Sequence, residues 1–303
     1  MGVIVYLNGE FVPVEEARIS VLDRGFLFGD GVYEGLRTFA GRVYCGPMHA
    51  LRLAQGLAAT GIDADADSLE ALCEELARKN DLPDAFIYVQ YTRGAPLPGA
   101  EPRSRIPDGP TRPTVFAMCV EQGSIDQCAS QIQTLRVQVC EDQRWLNGRI
   151  KSISLLGNIM AAMEGHAAGA DEALLARGPL LAEATSSNVI LALRRAGGST
   201  ELVTPSLDSV PILAGVTRAR LLELEPAIVE RAVGVDELAS ASEVMVCGTT
   251  SLVSAVTHID GRPVRDGEPG PEALRLLELY TNHIRRELAL PRPACPPARV
   301  AHA

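Results

Sequence analysis

Lysine is nearly absent from this chain of 303 amino acids: Lys79 and Lys151 are its two lysines, and the other basic residues are arginines. Basic residues as a whole are in the minority, 28 against 38 acidic residues, which gives a formal net charge of −10. A surplus of negative charge repels phosphate backbones and anionic lipid headgroups. We therefore expect neither nucleic acid nor a membrane among the partners.

Paired cysteines and long apolar runs are missing as well. The seven cysteines contain no C-x-x-C pair, and their odd number does not indicate a disulfide framework. The longest uncharged run, residues 244–259, is interrupted by Thr, Ser and Gly, so it does not predict a membrane span. The first residues lack the basic segment that begins a secretory signal. These observations favour a cytoplasmic protein.

Common nucleotide and metal motifs are also missing. The glycines of RGFLFGDGVYEG lack the spacing of a dinucleotide fingerprint, and a hairpin rather than a helix is predicted to follow them. No Walker loop, HExxH or GxSxG occurs, and the five histidines have no metal-ligand spacing. We therefore expect no metal site.

Hydrophobic periodicity predicts a chain that mixes strands and helices. The dipeptides Asn8-Gly9 and Ala40-Gly41 each separate two apolar runs, which predicts two hairpins. Residues 47–60 and 68–80 carry apolar side chains at helical spacing, which predicts two amphipathic helices. Further strands are predicted at 86–92, 114–120, 134–139, 172–176, 188–193 and 243–247, and further helices at 154–168, 217–224 and 271–288.

The length suits two domains of ordinary size. The apolar pattern pauses at 121–127, which predicts a linker between an N-terminal α/β domain, residues 1–120, and a C-terminal domain, residues 128–290. Residues 291–303 have no periodicity and are predicted to be a disordered tail. The predicted fold class is α/β (α+β), with a small-molecule site in the cleft between the two domains, where such sites concentrate.

Lys151 has the chemistry of a candidate nucleophile. It lies in GRIKSISLLGNIMAAM, an apolar segment in which a charged ammonium is costly to bury. A desolvated amine can shed its proton and condense with a carbonyl, which a guanidinium cannot do. In a chain that otherwise uses arginine, we therefore take Lys151 as the candidate catalytic residue. Lys79 lies at the polar end of a predicted helix and is expected to be a solvated cation.

Three further features become informative together. Gly215, Val216 and Thr217 directly precede a predicted helix, whose first N–H groups can bind an anion. The hydroxyl-rich turn CGTTSLV, with Thr249 and Thr250, follows an apolar strand, and Glu183 ends another apolar run. An activatable amine, an acid and two anion cradles are what a phosphate-bearing aldehyde cofactor needs.

The order and wording of the motifs resemble the fold-type IV (class IV) pyridoxal phosphate aminotransferases, which include branched-chain and D-amino-acid transaminases and aminodeoxychorismate lyase. The resemblance extends from about Tyr6 to Gly267. It is carried by LNGEFV, DRGFLFGDGVYEG, QYTRG, EDQRWLNGRIKSISLLGN, LLAEATSSNV, TPSLDSVPILAGVTR, CGTTSLVSAV and IDGRPVRDG. It implies a homodimeric enzyme of two domains that exchanges an amino group between an amino acid and a 2-oxo acid by a ping-pong route.

The resemblance also assigns cofactor contacts. Lys151 would bind pyridoxal 5'-phosphate covalently and then act as general base and acid. Glu183 would pair with the pyridinium nitrogen. Arg144, seven residues before the lysine, would lie just outside the residues that contact the cofactor at the same site. The remaining cofactor contacts would be Arg52, Val216, Thr217 and Thr249 at the phosphate and Leu213 against the ring.

Substrate choice is less clearly marked. Tyr33, Arg37 and Thr250 are the candidate substrate-binding residues, and Arg37 shares a strand face with Tyr33. The Arg-x-His pair of many D-amino-acid enzymes is missing from GAPLPGAEPRSR, where Arg103 or Arg105 is a possible substitute.

The wording around QYTRG and the lysine is closer to the D-amino-acid group, so the sequence favours D-amino acids. The YxR of the branched-chain enzymes is Tyr88-Val89-Gln90 here. Branched-chain L-amino-acid transamination, (R)-amine transamination and lyase activity stay as alternatives, and so does a ligand-binding protein that has lost catalysis.

Overall fold

The computed structural model describes residues 2–101, 103–107, 109, 111–195 and 197–291. By its internal contacts the chain divides into two compact units. Among the described residues, the first unit contains those from 2 to 124 together with 150–155, and the second contains 125–149 and those from 156 to 291. Within the described part of the chain, no helix is both long and apolar enough to cross a membrane.

The first unit is built on an antiparallel sheet of six strands in the order β2-β1-β6-β5-β3-β4. Its strands are β1 (Ile4–Leu7), β2 (Glu10–Pro13), β3 (Gly31–Phe39), β4 (Arg42–Val43), β5 (Ala85–Ala95) and β6 (Arg112–Glu121), and its helices are α1 (Arg24–Phe28), α2 (Gly46–Thr60) and α3 (Leu69–Lys79).

Both predicted hairpins and both predicted amphipathic helices of this unit are confirmed. Asn8 and Gly9 have positive φ, as the tight turn between β1 and β2 requires. The apolar stripes of α2 and α3 bury Leu53 and Leu76 in one core with Leu36 of β3. Because strand side chains alternate, the neighbouring positions of β3 face the other side of the sheet. That second face carries Tyr33 and Arg37.

The second unit contains a sheet of nine strands, eight of them in the order β12-β11-β10-β13-β14-β7-β8-β9, with β15 paired to β14. The strands are β7 (Gln133–Glu141), β8 (Glu172–Arg177), β9 (Leu180–Ala184), β10 (Asn188–Arg194), β11 (Thr200–Pro205), β12 (Ile228–Arg231), β13 (Ala241–Gly248), β14 (Leu252–Ile259) and β15 (Arg262–Pro263). The helices are α4 (Ile125–Ser130), α5 (Leu156–Ala167), α6 (Val216–Leu224), a 3₁₀ turn (Val235–Ala239) and α7 (Pro271–Glu287).

The predicted strands and helices of the second unit are present, with bounds that differ by a few residues. Helix α5 begins at Leu156 rather than near Ser154, because the residues before it are bonded elsewhere: Ile153 donates its N–H to the Gly31 carbonyl, and Leu155 donates to the Ile153 carbonyl. Several elements have no counterpart in the prediction, including α1, β9 and β14. The predicted tail lies outside the described residues from 292 onward, and the predicted domain boundaries stay predictions.

Candidate active site

Lys151 lies in the six-residue segment 150–155 that belongs to the first unit. Its carbonyl accepts a hydrogen bond of 2.9 Å from the N–H of Tyr33, and Ile153 donates to the carbonyl of Gly31 at 3.1 Å. A Cβ at Gly31 would lie 2.8 Å from Cδ1 of Ile153, so the absence of a side chain allows the segment to approach β3. The half-buried Lys151 places Nζ 4.2 Å from the centroid of the Tyr33 ring.

Tyr33 lies beside the side chains of Tyr88 and Gln90 on one face of the sheet. Its ring centroid lies 5.3 Å from that of Tyr88 on β5, and the Tyr88 hydroxyl donates to Oε1 of Gln90 at 2.8 Å. Burial, with the neighbouring Tyr33, raises the pKa of Tyr88 to about 12. The Tyr33 and Tyr88 rings and the Lys151 amine therefore lie beside the paired strands β3 and β5 of the first unit.

Arg52 on α2 is held by a buried carboxylate. Its Nε and Nη2 donate to the two oxygens of Glu34 at 2.6 and 2.7 Å, and Nδ1 of His49 lies 2.8 Å from Glu34 Oε2. Burial alone would raise the pKa of Glu34, but the charge and hydrogen bonds of Arg52 and His49 lower it to about 2. Burial lowers the pKa of His49. Glu34 thus fixes the orientation of the Arg52 guanidinium, as a bidentate pair does.

Arg37 is buried on β3, on the strand face that also carries Tyr33. Its Nη2 donates to the carbonyl of Gly123, and its guanidinium carbon lies 4.5 Å from the centroid of the Phe39 ring. The proposed role of Arg37 toward a substrate stays a prediction.

Arg103 and Arg105 lie in a segment that is fixed by α1. Arg24 donates to the carbonyls of Ser104 and Arg105 at 2.6 and 2.9 Å, and to Asp30 at 2.8 Å. The guanidinium carbons of Arg24 and Arg103 lie 4.8 and 5.4 Å from the centroid of the Phe28 ring. The DRGFLFGDG motif therefore anchors this segment.

Glu183 is the centre of a polar group in the second unit. Its carboxylate accepts from Nη1 of Arg144 at 2.8 Å, from Nδ2 of Asn188 at 2.9 Å and from the N–H of Leu213 at 3.1 Å. Asn188 also donates to the carbonyl of Leu213 at 3.0 Å. The side chain of Glu183 is buried, and an ion pair with an arginine holds a carboxylate in its charged form.

Helix α6 begins beside this group. Its N-cap is Gly215, which has no side chain to bond the N–H groups of Val216 and Thr217 in the first turn. A Cβ at Gly215 would overlap Oδ1 of Asn188, so the close approach requires glycine. The Thr217 hydroxyl, which is buried, accepts from the hydroxyl of Tyr280 at 3.3 Å.

The turn between β13 and β14 contains Thr249 and Thr250. Thr250 is exposed and Thr249 is half-buried. A Cβ at Gly248, the last residue of β13, would lie 2.9 Å from the Ser187 hydroxyl and 3.1 Å from that of Ser251. Asn188 pairs with Cys247 across β10 and β13, which brings this turn near the start of α6 within the second unit.

Sequence reasoning missed some of the residues that hold these side chains. Asn188 contacts the predicted Glu183, and His49 contacts Glu34, the carboxylate that holds the predicted Arg52; neither His49 nor Asn188 was assigned a role. Their signal was weak: His49 is three residues from Arg52 on one helix, and Asn188 is the polar start of an apolar strand. Among the described residues, no group of three His, Cys, Asp or Glu side chains could hold a metal ion.

Comparison with known proteins gives consistent matches. A family model described as amino-transferase class IV matches residues 31–259. D-alanine aminotransferase from Staphylococcus epidermidis is 32% identical over 93% of this chain and 98% of its own, and that from Bacillus licheniformis is 34% identical over 94% and 98%.

Solved structures also match this chain over most of its length. A branched-chain aminotransferase from Thermoproteus uzoniensis with norvaline covers 94% of this chain and 95% of its own at a TM-score of 0.79 and 24% identity, which shows the fold alone. The branched-chain amino acid aminotransferase of T.th., complexed with N-(5'-phosphopyridoxyl)-L-glutamate, is 27% identical, with a TM-score of 0.79 over 93% of this chain and 94% of its own.

Proposed function

The chain belongs to the class IV aminotransferase family, and we propose that it uses pyridoxal phosphate to exchange an amino group between a D-amino acid, with D-alanine as the first candidate, and a 2-oxo acid. The observation that carries the proposal is the similarity of nearly the whole chain to D-alanine aminotransferases. The one lysine in an apolar segment supports it, because an amine there can react with an aldehyde.

The residues present fit this cofactor. Lys151 supplies the amine, the ion-paired Glu183 supplies a carboxylate for a ring nitrogen, and Leu213 would lie against the ring. The uncapped N–H groups of Val216 and Thr217 offer positive dipole ends to a phosphate. Arg52 and Thr249 would complete the phosphate contacts.

When bound, pyridoxal phosphate supplies an aldehyde for the amino group and an electron-withdrawing ring. The protein supplies the rest. Nζ of Lys151 would take the proton from the donor's Cα and deliver it to the cofactor carbon that carried the aldehyde, as a general base and then a general acid. The Tyr33 ring beside Nζ orients the amine and excludes water from one side of it. We expect Tyr33, Arg37 and Thr250 to contact the substrate, with Arg103 or Arg105 as the alternative ligand of its carboxylate.

A stereospecific donor screen tests the proposal. Purified enzyme is offered D-alanine, L-leucine and an (R)-amine with 2-oxoglutarate, D-glutamate with pyruvate, and aminodeoxychorismate alone, and the new oxo product of each is measured. Turnover of the D-amino acids and not of L-leucine is expected. The reverse pattern would favour a branched-chain enzyme, (R)-amine turnover alone an amine transaminase, and pyruvate release from aminodeoxychorismate a lyase.

The two lysines provide a matched pair of variants. Lys151→Ala is expected to abolish turnover and the visible absorbance of the bound cofactor, whereas Lys79→Ala leaves both unchanged. Lys79 lies on the surface of α3, 3.4 Å from Glu75 and over the Phe11 ring. Wild-type protein that binds the cofactor but converts no amine would instead indicate a ligand-binding protein.

We also propose a homodimer and a cytoplasmic location. The exposed apolar face of α5 supports the dimer, because contiguous apolar patches are typical of protein interfaces. The location rests on the sequence and is checked by fractionation of cells.

A further inference from the structure

We propose that Asp142 is a positioning residue for Glu183: it acts through Arg144 and keeps the Glu183 carboxylate available for a protonated ring nitrogen. The inference deepens the proposed function and rests on it, because it takes Glu183 as the partner of that nitrogen in pyridoxal phosphate.

The geometry links the two carboxylates through one guanidinium. Asp142, directly after β7, is buried, and its Oδ1 and Oδ2 accept from Nε and Nη2 of Arg144 at 2.9 and 3.1 Å. Nη1, the remaining nitrogen of the same plane, donates to Oε1 of Glu183 at 2.8 Å. Since a bidentate pair fixes the plane of the guanidinium, Asp142 determines where Nη1 points.

Further contacts to Asp142 and Arg144 hold this arrangement in place. Nη2 of Arg177 lies 3.0 Å from Oδ2 of Asp142 and donates to the carbonyl of Arg144 at 3.0 Å. A Cβ at Gly157 on α5 would lie 3.1 Å from Cγ of Arg144, so the stem of the arginine is closely packed. The Asp142 N–H is bonded to the Ala176 carbonyl at 2.7 Å. Arg144 therefore has little freedom to turn.

The charges determine the consequence. Burial alone would raise the pKa of Asp142, but the hydrogen bonds and charge of Arg144 and a hydrogen bond from Arg177 lower it, so Asp142 is ionised. A guanidinium paired with Glu183 alone would place its whole positive charge against that carboxylate and weaken its attraction for a second cation. The Asp142 charge offsets this: Asp142, Arg144 and Glu183 together carry one formal negative charge, and Arg177, which pairs with Asp142 at the other end of the group, reduces that charge. That charge favours a pyridinium over a neutral pyridine.

The test measures binding rather than turnover. Apoenzyme is titrated by calorimetry with pyridoxal phosphate and with an analogue in which C–H replaces the ring nitrogen. Both ligands react with Lys151 and carry the same phosphate, so the ratio of their affinities reports the environment of the ring nitrogen. Asp142→Asn keeps the shape of the side chain and one hydrogen-bond acceptor oxygen but removes the negative charge. We expect it to reduce the preference for pyridoxal phosphate about tenfold or more.

Two further variants separate this role from a structural one. Arg177→Gln loosens the same group but removes a positive charge, so the preference should stay equal or rise. Asp208→Asn, at an exposed pair with Arg149, should change neither affinity. An unchanged preference in folded Asp142→Asn, or an equal loss in Arg177→Gln, would overturn the inference. Wild-type protein that binds neither ligand would instead overturn the proposed function, and this inference with it.

Discussion

At the scale of single residues, Glu183 shows how a buried carboxylate is held by polar partners. Three donors reach its two oxygens, namely Arg144, Asn188 and the N–H of Leu213. A carboxylate removed from water needs such partners, because an unpaired buried charge is very costly. The same partners leave it unable to swing away from the ring that it is proposed to face.

Replacement of this carboxylate by an amide tests its proposed role. In Glu183→Gln, the neutral side chain cannot favour a charged ring nitrogen, so we expect turnover to fall by about 10² or more while the cofactor stays bound. Steady-state kinetics and the visible absorbance of the same sample measure the two quantities. Glu223→Gln, at an exposed position on α6, is the control. Equal rates in Glu183→Gln and the wild type would contradict the assignment.

The sequence predicted Lys151 and Glu183 as candidates but not the contacts that hold them. A lone lysine in an apolar run and an acid at the end of another are visible in the order of residues. The partners of Glu183 lie 39, 5 and 30 positions away along the chain, and those separations follow no helical or strand period. Only the folded chain identifies Asn188 and Asp142.

At the scale of elements, β3 serves two purposes because its faces differ. Glu34 belongs to the face under α2 and bonds Arg52 and His49, while Tyr33 and Arg37 belong to the opposite face. Strand alternation predicted the second face from the sequence. The buried ion pair on the first face was not predicted, because burial of Glu34 depends on how α2 packs.

This ion pair makes stability depend on pH in acid. The pKa of Glu34 falls from 4.5 to about 2 on folding, so its contribution is complete above pH 4.5 and is lost as the pH falls toward 2. The shift corresponds to roughly 3 kcal/mol of unfolding free energy. Urea unfolding between pH 2 and 6 should show this loss in the wild type, and Glu34→Gln should be less stable at pH 6 with a flatter profile.

The control for this measurement is Glu75→Gln. Glu75 pairs with Arg78 on the exposed side of α3, where solvent screens the interaction. Its profile should match that of the wild type. If Glu34→Gln retains the full acid dependence, other carboxylates are responsible for it.

Helix α1 is expected to protect the segment that carries Arg103 and Arg105 from proteolysis. Arg24 donates to two carbonyls of the segment that carries Arg103 and Arg105, so Arg24→Gln should free that segment. Two lost hydrogen bonds of about 1 kcal/mol each correspond to opening that is about 10- to 30-fold more frequent. Tryptic cleavage after Arg103 or Arg105, followed by mass spectrometry, should accelerate accordingly. Arg149→Gln should not change it, and unaltered cleavage in Arg24→Gln would show that other contacts hold the segment.

The short elements were the ones that sequence patterns missed. Helix α1 has five residues, too few for a periodic stripe, and the side chains of β14 are mostly buried along its length, so no polar alternation marks it. The longer helices α2, α3 and α7 show clear periodicity and were predicted within a few residues. The sequence therefore predicts best those elements that are long and have one solvent-exposed face and one buried face.

At the scale of the whole molecule, the sequence has no signal for the grouping of residues 150–155 with the first unit. The segment is preceded and followed by residues of the second unit, and its partners on β3 lie more than a hundred positions away. The family resemblance predicted the role of Lys151 without that knowledge. That prediction was possible because the residues of a motif are determined by the function they serve. The unit to which the segment belongs is determined by how the folded chain packs.

The proposed homodimer is testable on α5. Leu156, Ile159, Met160 and Met163 follow helical spacing and are 69, 52, 55 and 66% exposed, an apolar stripe that a lone chain would leave in water. We expect the wild type to sediment as a dimer at micromolar concentration. The double variant Met160→Glu with Met163→Glu should sediment as a monomer, because burying two carboxylates without partners opposes association.

The control places a negative charge elsewhere in the second unit. Leu274 is 43% exposed on α7, and Leu274→Glu should leave the dimer intact. A dimeric double variant would place the interface on another surface, and a monomeric wild type would refute the homodimer itself. If both variants are monomeric, the effect comes from added negative charge on a chain that already carries a net charge of −10, and 0.5 M salt should then restore association by screening. Salt should not restore it when the apolar stripe of α5 is the interface, since the buried carboxylates stay unpaired.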